Sequence, residues 1–310
     1  MFASGSETRI AYIPEVTFGT TPATPAFNVL RATQSTLRPN KNTVQSEEIR
    51  ADRNVADLIK TGESVSGELA GELSYGSWDD LLAAALCSDW TTNVLKNGVA
   101  QKFFTLEETY ELGATNVFSR FTGCMLDRLQ MSIVARQIVT LRATVMGRAN
   151  ALDDAIITGA TYNAGNTNAV QAAPSGVAAL SLSDGGGAIA AKIRSINLDI
   201  ANNLRERPVI DSLYSEEMGK GRHVVTGTIE AYFQSKDLMQ KVLDHGTGVL
   251  SMTLGTVTAE KYTILLPKIR FGEGAIGQRD NNSDVMQTIP FQAIYDTAEA
   301  CSIKITRAVA

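Results

Sequence analysis

The residues of this chain that could carry chemistry are few and poorly spaced for it. Adjacent carboxylates stand at Glu47-Glu48, Asp79-Asp80, Glu107-Glu108 and Asp153-Asp154, and a carboxylate pair a few ångströms apart is the machinery of glycoside hydrolysis. Adjacency in the chain does not create that spacing. A solvated loop or a helix N-terminus explains each pair, and Asp79-Asp80 suits a first helical turn, where the macrodipole favours negative charge. The only histidines are His223 and His245. Neither belongs to a metal-ligand pattern such as His-x-x-x-His, and no serine occupies a Gly-x-Ser-x-Gly elbow. His223 is expected on a strand, and His245 on the last turn of a helix, where a protonated ring meets the carbonyl end. Cys87, Cys124 and Cys301 are too few and too far apart for a disulfide framework or a zinc knuckle, so they read as buried or partly buried thiols. Asp184-Gly185-Gly186-Gly187 resembles a phosphate-cradling loop but lacks the Gly-Lys-Ser/Thr that would complete one. Following Val177 to Ser183, its Asp-Gly suits a turn that ends a strand. Trp78 and Trp90 read as core or interface anchors rather than a sugar platform. The expectation is a chain with no catalytic residue, no metal site and no cofactor.

Composition narrows the field further. A length of 310 residues suits about two domains. Lys plus Arg is 28 against 33 Asp plus Glu, a net charge of −5, which argues against a dedicated nucleic-acid binder with its basic stripe. With 44% hydrophobic and 20% charged residues, the chain can bury a sizeable core. No apolar run approaches the ~18 residues of a membrane span, and Met1-Phe2-Ala3-Ser4-Gly5 lacks the basic start and apolar stretch of a signal peptide. A soluble protein made in a cytoplasm, with no membrane partner, is expected.

The elements that would position any site are mostly strands. Val65, Gly67, Leu69, Gly71 and Leu73 alternate with Ser66, Glu68, Ala70, Glu72 and Ser74, as a strand with one buried face requires. Leu129, Met131 and Ile133 alternate with Arg128, Gln130 and Ser132, and Val139, Leu141, Ala143 and Val145 with Thr140, Arg142 and Thr144. Two helices are expected. Ser77 and Asp80 precede the apolar Leu81, Leu82, Ala85 and Leu86; Ser235 and Asp237 precede Leu238, Met239, Val242 and Leu243, with Gly246 as the stop.

That strand-then-helix unit occurs twice. With Gly67 laid on Gly227, Lys60 meets Lys220, Val65 meets Val225, Leu69 meets Ile229 and Leu73 meets Phe233; with a small shift Asp80 then meets Asp237 and Leu86 meets Leu243. Upstream, Arg31 falls on Arg194 and Leu37 on Ile200. Downstream, Leu126-Asp127-Arg128-Leu129 falls on Leu266-Pro267-Lys268-Ile269, and Leu141-Arg142-Ala143 on Ile289-Pro290-Phe291. Collinear order points to an internal duplication. Residues 159–176 are rich in Gly, Ala, Asn, Thr and Ser and supply little apolar surface. The expected organisation is a first domain at 1–150, a linker or exposed loop at 151–176 and a second domain at 177–310.

At this point the residues resemble a known family. Tyr12-Ile13-Pro14-Glu15-Val16-Thr17-Phe18-Gly19-Thr20-Thr21-Pro22 followed by Phe27-Asn28-Val29-Leu30-Arg31, the run from Ser64 to Leu86, Leu266-Pro267-Lys268-Ile269-Arg270-Phe271 and Thr288-Ile289-Pro290-Phe291-Gln292-Ala293 together resemble major tail tube proteins of long non-contractile-tailed bacteriophages. The resemblance implies a mainly β fold of duplicated tail-tube-type β-sandwich or barrel domains, each with a flanking α-helix. It implies a structural virion protein of the tail, assembled in the host cytoplasm, whose rings stack into a tube that delivers DNA. The implied partners are further copies of the chain in trimeric, pseudo-hexameric rings, the tape-measure protein, the tail tip and tail terminator proteins, and double-stranded DNA in transient, non-specific passage.

A conduit should not grip its cargo, because a basic wall binds phosphate strongly and in a salt-dependent way; the acidic balance agrees with this. From strand phase alone, the lumen-facing positions are expected to be Ser66, Glu68 and Glu72, with Thr226, Thr228 and Glu230 in the second copy. The segments Thr17 to Pro25 and Thr43 to Leu58 read as long excursions able to bridge one ring to the next. Two other readings remain open: another ring-forming tail component, such as a completion protein or adhesin, and a carbohydrate-active β-sandwich enzyme using a carboxylate pair with Trp78 or Trp90.

Overall fold

The structure is a computed structural model and describes residues 2–113, 115–173, 177–183, 187–189, 191–277 and 281–308. The expected turn at Asp184 to Gly186 and the end of the linker, Pro174 to Gly176, lie outside the described residues.

The chain is mainly β. It runs through β1 (Arg9–Glu15), β2 (Ala26–Val29), β3 (Ala32–Ser35), β4 (Arg38–Gln45) and β5 (Leu58–Glu72) to helix α1 (Asp79–Ala85). β6 (Val94–Lys96), β7 (Phe103–Glu111), β8 (Asn116–Val134), β9 (Thr140–Gly147), β10 (Ala149–Asp153) and β11 (Thr161–Asn163) follow. Next come β12 (Val177–Ser183), β13 (Lys192–Ala201), β14 (Arg205–Arg207), β15 (Glu217–Gly219) and β16 (Val224–Tyr232), then helix α2 (Asp237–Leu243). β17 (Thr247–Leu254), β18 (Tyr262–Phe271), β19 (Ala275–Ile276), β20 (Met286–Ala293) and β21 (Lys304–Arg307) complete the order.

One strip of antiparallel pairings crosses the molecule. β3 and β4 lie end to end along β5, whose other edge takes β9. β9 pairs with β8, β8 with β13, β13 with β16 and β16 with β20; the far side of β20 is bordered by the end of β18 and by β19. The order β3–β4, β5, β9, β8 is thus followed by β13, β16, β20, β18–β19, element for element. One face of the strip is apolar: Val65, Leu69, Leu129, Met131, Leu141, Ala143, Ile196, Leu198, Val225 and Ile229 are all buried, as period-2 alternation demands. Beneath it a further sheet of β1, β7, β10 and the first half of β8, helix α1 and the β12–β17–β18–β21 ladder close the core.

Gly67 and Gly227 are glycine for parallel reasons. A side chain at Gly67 would press within 2.7 Å of the Thr36–Leu37 backbone, and one at Gly227 would meet the Phe291 ring at 2.4 Å and the Asn197 carbonyl at 2.5 Å. Superposing these two glycines, the registers correct the matches drawn from sequence. Gln34 pairs with Ala70 and Ser195 with Glu230, each just past a bulge at Thr33 or Arg194. Leu37 therefore corresponds to Leu198 rather than Ile200, a two-residue slip that alternation cannot detect because it leaves the phase unchanged. Likewise Leu141 corresponds to Gln287 rather than Ile289, and Leu126, opposite Val145, to Phe271, opposite Phe291, rather than to Leu266.

The helices form where the apolar stripes predict, with different ends. Ser77 does not cap α1; its hydroxyl donates to the Ser74 carbonyl at 2.9 Å, and Trp78 holds the cap position. Ser235 does receive the Asp237 N–H at 3.3 Å. His245 lies just past α2 rather than on its last turn, and it, not Gly246, takes the left-handed conformation with φ +49°. The Gly246 N–H then donates to the Lys241 carbonyl at 2.8 Å, so the helix does stop here. The apolar-poor linker lies against the first half through polar contacts: Arg31 donates to the Asn168 carbonyl at 2.6 Å, and Asn166 and Asn168 donate to the Tyr75 carbonyl at 3.0 and 2.9 Å.

Candidate functional site

Every second residue of the strip turns away from the core onto a concave face, which encloses a hollow of about 1030 Å³. All six sequence-predicted positions are on this polar phase, but of them only Thr226 and Thr228 line the hollow. Ser66, Glu68 and Glu72 lie on β5 and Thr226, Thr228 and Glu230 on β16, each partly accessible while Val65, Leu69, Val225 and Ile229 beside them are buried. Asn40 donates to the Ser66 hydroxyl at 2.8 Å, Arg142 lies 2.7 Å from Glu68, and Glu72 faces Thr140 across the ladder. Thr226 sits between Asp199 and Gln292, and Thr228 between Asn197 and Pro290. Glu230 accepts from the Ser195 hydroxyl at 3.1 Å and pairs with Arg194 at 3.4 Å.

The two triplets do not meet. β9, β8 and β13 separate them, and the residues on these strands complete the face: Arg142, Gln130, Ser132, Asn197 and Asp199 line the hollow. Arg142, Gln130 and Ser132 stand on strands whose alternation is plain in the sequence, but alternation alone does not say which strands neighbour which, so they were missed as part of the face. Asn197 and Asp199 lie on β13, and Ile196 and Ile200 on either side of them carried the signal for the strand.

Most arginines of the face have a neighbouring carboxylate, whereas Arg270 meets only a carbonyl and Arg38, opposite Ser66 at the edge, has no ion-pair partner among the described residues. Arg128 Nε lies 2.9 Å from Asp199, Arg142 pairs with Glu68, Arg194 with Glu230, and Arg270 donates to the His245 carbonyl. Burial pushes the Asp199 carboxyl above its ordinary range, with Arg128 pulling against the shift. Ser132 and Asn197 join across the β8–β13 ladder at 2.7 Å. A surface made this way presents dipoles and mostly paired charges.

The acidic pairs do structural work elsewhere. Glu47 and Glu48 are exposed. Asp79 accepts from Tyr262 and Arg307, and Asp80 from the Tyr12 hydroxyl at 2.9 Å. Glu107 and Glu108 correct the reading of a solvated loop or helix start: they sit on β7 and are buried, because that strand is covered on both faces. Glu107 accepts from Arg120 Nε at 2.8 Å and from the Tyr162 hydroxyl at 2.6 Å, and burial with this bond pushes the Tyr162 pKa up to about 12. Asp153 pairs with Arg120 from the end of β10. Trp78 is fully buried, and Trp90 donates to the Asp79 carbonyl at 3.0 Å under the Arg307 guanidinium. The three cysteines are buried and free, and burial raises each thiol pKa. Among the described residues no group of three or more His, Cys, Asp or Glu is placed to hold a metal, and no helix is long and apolar enough to cross a membrane.

The described strip is a sheet with one buried face, one polar concave face and open strand edges at both ends. The model of the phage tail tube protein family matches residues 5–293. The chain belongs to that family and is a structural protein of the phage tail tube. No curated protein matches it.

Proposed function

We propose that three copies of this chain close into a ring in which the strip of one copy continues into the next, and that rings stack into the tube of a long non-contractile tail. The observation that carries the reading is the β8–β13 ladder. It joins the strands of residues 1–150 to those of 177–310 in one continuous sheet, so a chain behaves as two similar units around the segment 151–176, and three chains supply six. Closure removes the free edges that otherwise invite uncontrolled strand addition. Ser66, Glu68, Glu72, Thr226, Thr228 and Glu230, with the residues between them, then line a channel through which double-stranded DNA passes into the host. Compensated arginines suit that role, since unpaired ones would hold the phosphates.

Stacking requires contacts that repeat head to tail without closing, which generates a filament. The hairpin tip between β4 and β5 fits this, carrying exposed Val44, Ile49, Val55, Leu58 and Ile59; the β14–β15 hairpin carries exposed Val209, Ile210 and Leu213 in the second half. In the Thr17 to Pro25 segment Thr20 N–H donates to the Thr17 carbonyl, Thr21 bonds Thr105 at 2.8 Å and Phe18 packs edge-on against Phe103, while Thr17, Thr20, Ala23 and Thr24 stay exposed. The two apolar hairpin tips, with this segment, are the surfaces that would bridge one ring to the next. The tape-measure protein inside the tube and the tip and terminator proteins at its ends are the partners this reading requires, with assembly in the host cytoplasm and no enzymatic step.

Electron microscopy of the purified chain at high concentration tests it. Hollow stacked rings with threefold or pseudo-sixfold symmetry are expected. A closed single ring that never stacks at any concentration would reassign the chain to a tail-completion role.

A further inference from the structure

We propose that the joint between the two halves of one chain is the template for the joint between chains, and that an Arg38–Glu273 ion pair closes it. The proposal rests on the ring reading above and specifies its seam. Inside the chain, β8 and β13 pair with Arg128 opposite Ala201, Gln130 opposite Asp199 and Ser132 opposite Asn197, and Arg128 bonds Asp199 diagonally at 2.9 Å. In the first half the place of β13 is held by β3–β4. In the second half the place of β8 is held by the end of β18 and by β19. Both are outer edges of the strip: among the described residues β4 is paired only with β5, and β19 only with β20.

The register transfers residue by residue. β13 maps onto β3–β4 through the shared partners on β16 and β5, which places Asn197 on Thr36, Asp199 on Arg38 and Ala201 on Asn40. β8 maps onto β18–β19 through β9 and β20, which places Arg128 on Glu273, Gln130 on Ala275 and Ser132 on Gly277. Applied between two copies, the β8–β13 register sets Ala275 opposite Arg38, Gly277 opposite Thr36 and Glu273 opposite Asn40. Arg128 is thereby replaced by Glu273 and Asp199 by Arg38, so the diagonal ion pair recurs with its signs exchanged. Arg38 and Glu273 are both exposed, and among the described residues neither has an ion-pair partner in its own chain, in contrast to Arg128, Arg142 and Arg194 on the adjoining face.

The backbone of the edge agrees. The Thr36 N–H donates to the Glu68 carbonyl at 2.9 Å, so by alternation Arg38 and Asn40 turn their backbone groups toward β5 while Pro39 turns toward the open edge. Proline has no N–H to offer there, a device that discourages indiscriminate strand addition. The seam is one hydrogen bond short for it, which leaves the ion pair as the selective element and a correctly matched second copy as its partner.

Charge reversal and cysteine pairing test the seam separately from the ring. Arg38→Glu and Glu273→Arg each place like charges across it, and each is expected to raise the concentration needed for ring formation about tenfold or more. Arg38→Glu with Glu273→Arg is expected to restore assembly. For register, Thr36→Cys with Gly277→Cys is expected to link neighbouring chains under mild oxidation, because the template side chains at these positions touch at 2.7 Å. Thr36→Cys with Ala275→Cys, two residues out, is expected to stay unlinked, and the native cysteines are buried. Rings that assemble normally with either single reversal, or that link through 36 and 275 instead, overturn the seam and leave the ring standing. A wild-type chain that forms no rings at any concentration, with Thr36→Cys/Gly277→Cys chains that form no cross-links, overturns the ring reading, and the seam with it.

Discussion

Helices α1 and α2 follow corresponding strands, span seven residues each and both begin with aspartate, yet they are embedded very differently. In α1 the residues Leu81 through Ala85 are all buried; in α2 only Leu238 is, and Leu243 is 71% exposed. The cause lies in what surrounds them. Tyr12 from β1 bonds Asp80, while Tyr262 from β18 and Arg307 from β21 bond Asp79. Asn202, just past β13, donates to the carbonyls of Ala85 and Leu126 at 3.1 and 3.0 Å. Segments distant in sequence thus converge on α1 from both halves, whereas α2 serves its own half. The same supersecondary unit acts in one place as a keystone and in the other as a local cover.

The sharpest way to break that contrast is Trp78→Ala. Trp78 is fully buried at the entrance to α1 and its ring presses against Gly71, where an added Cβ would come within 2.4 Å of it. Removing a buried aromatic ring is expected to cost about 3–5 kcal/mol, seen as a lower urea midpoint of the isolated chain, and to loosen both halves together. Protection from hydrogen exchange in β16 and β20, as well as β5 and β9, should fall. Loss confined to the first half would show that α1 is not the keystone.

Leu238→Ala is the matching change in α2 and is expected to cost about 2 kcal/mol, near the low end for a buried leucine, because a half-exposed helix can settle into the space. Its exchange signature should stay within β16, β20 and α2. A cost equal to that of Trp78→Ala, read in the same urea titration, would erase the difference between the helices.

Much of this could be read from residues. The buried phases of β5, β8, β9 and β16 follow from alternation, and both helices from their apolar stripes, because one solvated face leaves a period in the sequence. Where both faces are covered, the period disappears. The first half of β8 and nearly all of β7 are buried continuously, and Glu107 and Arg120 hide there as a satisfied pair, so their sequence resembles a polar surface. The polar positions of β5 and β16 were legible for the same reason as their core positions. The full width of the concave face was not, since alternation records neither which strands are neighbours nor a register slip of two residues.

The smallest expected effect probes where the second half touches α1. His223 precedes β16, and neither of its buried ring nitrogens has a hydrogen-bond partner among the described residues. Burial holds its pKa below the ordinary histidine value, and the nearby backbone of Ala85 at the end of α1 opposes that shift only in part. The folded chain therefore prefers the neutral ring, whereas the unfolded chain takes up its proton near pH ~6.5. Between the unfolded and folded pKa values the unfolded state binds more protons, so stability falls as pH drops through that window and levels off below the folded value. Melting temperatures of wild type and His223→Gln between pH 8 and pH 5 should diverge in slope, with the variant flatter on the acid side. A variant slope as steep as that of wild type would place the acid sensitivity elsewhere. A flatter slope in His223→Gln that vanishes in the Trp78→Ala background would tie the burial of His223 to the seating of α1, and so make the two halves one cooperative unit.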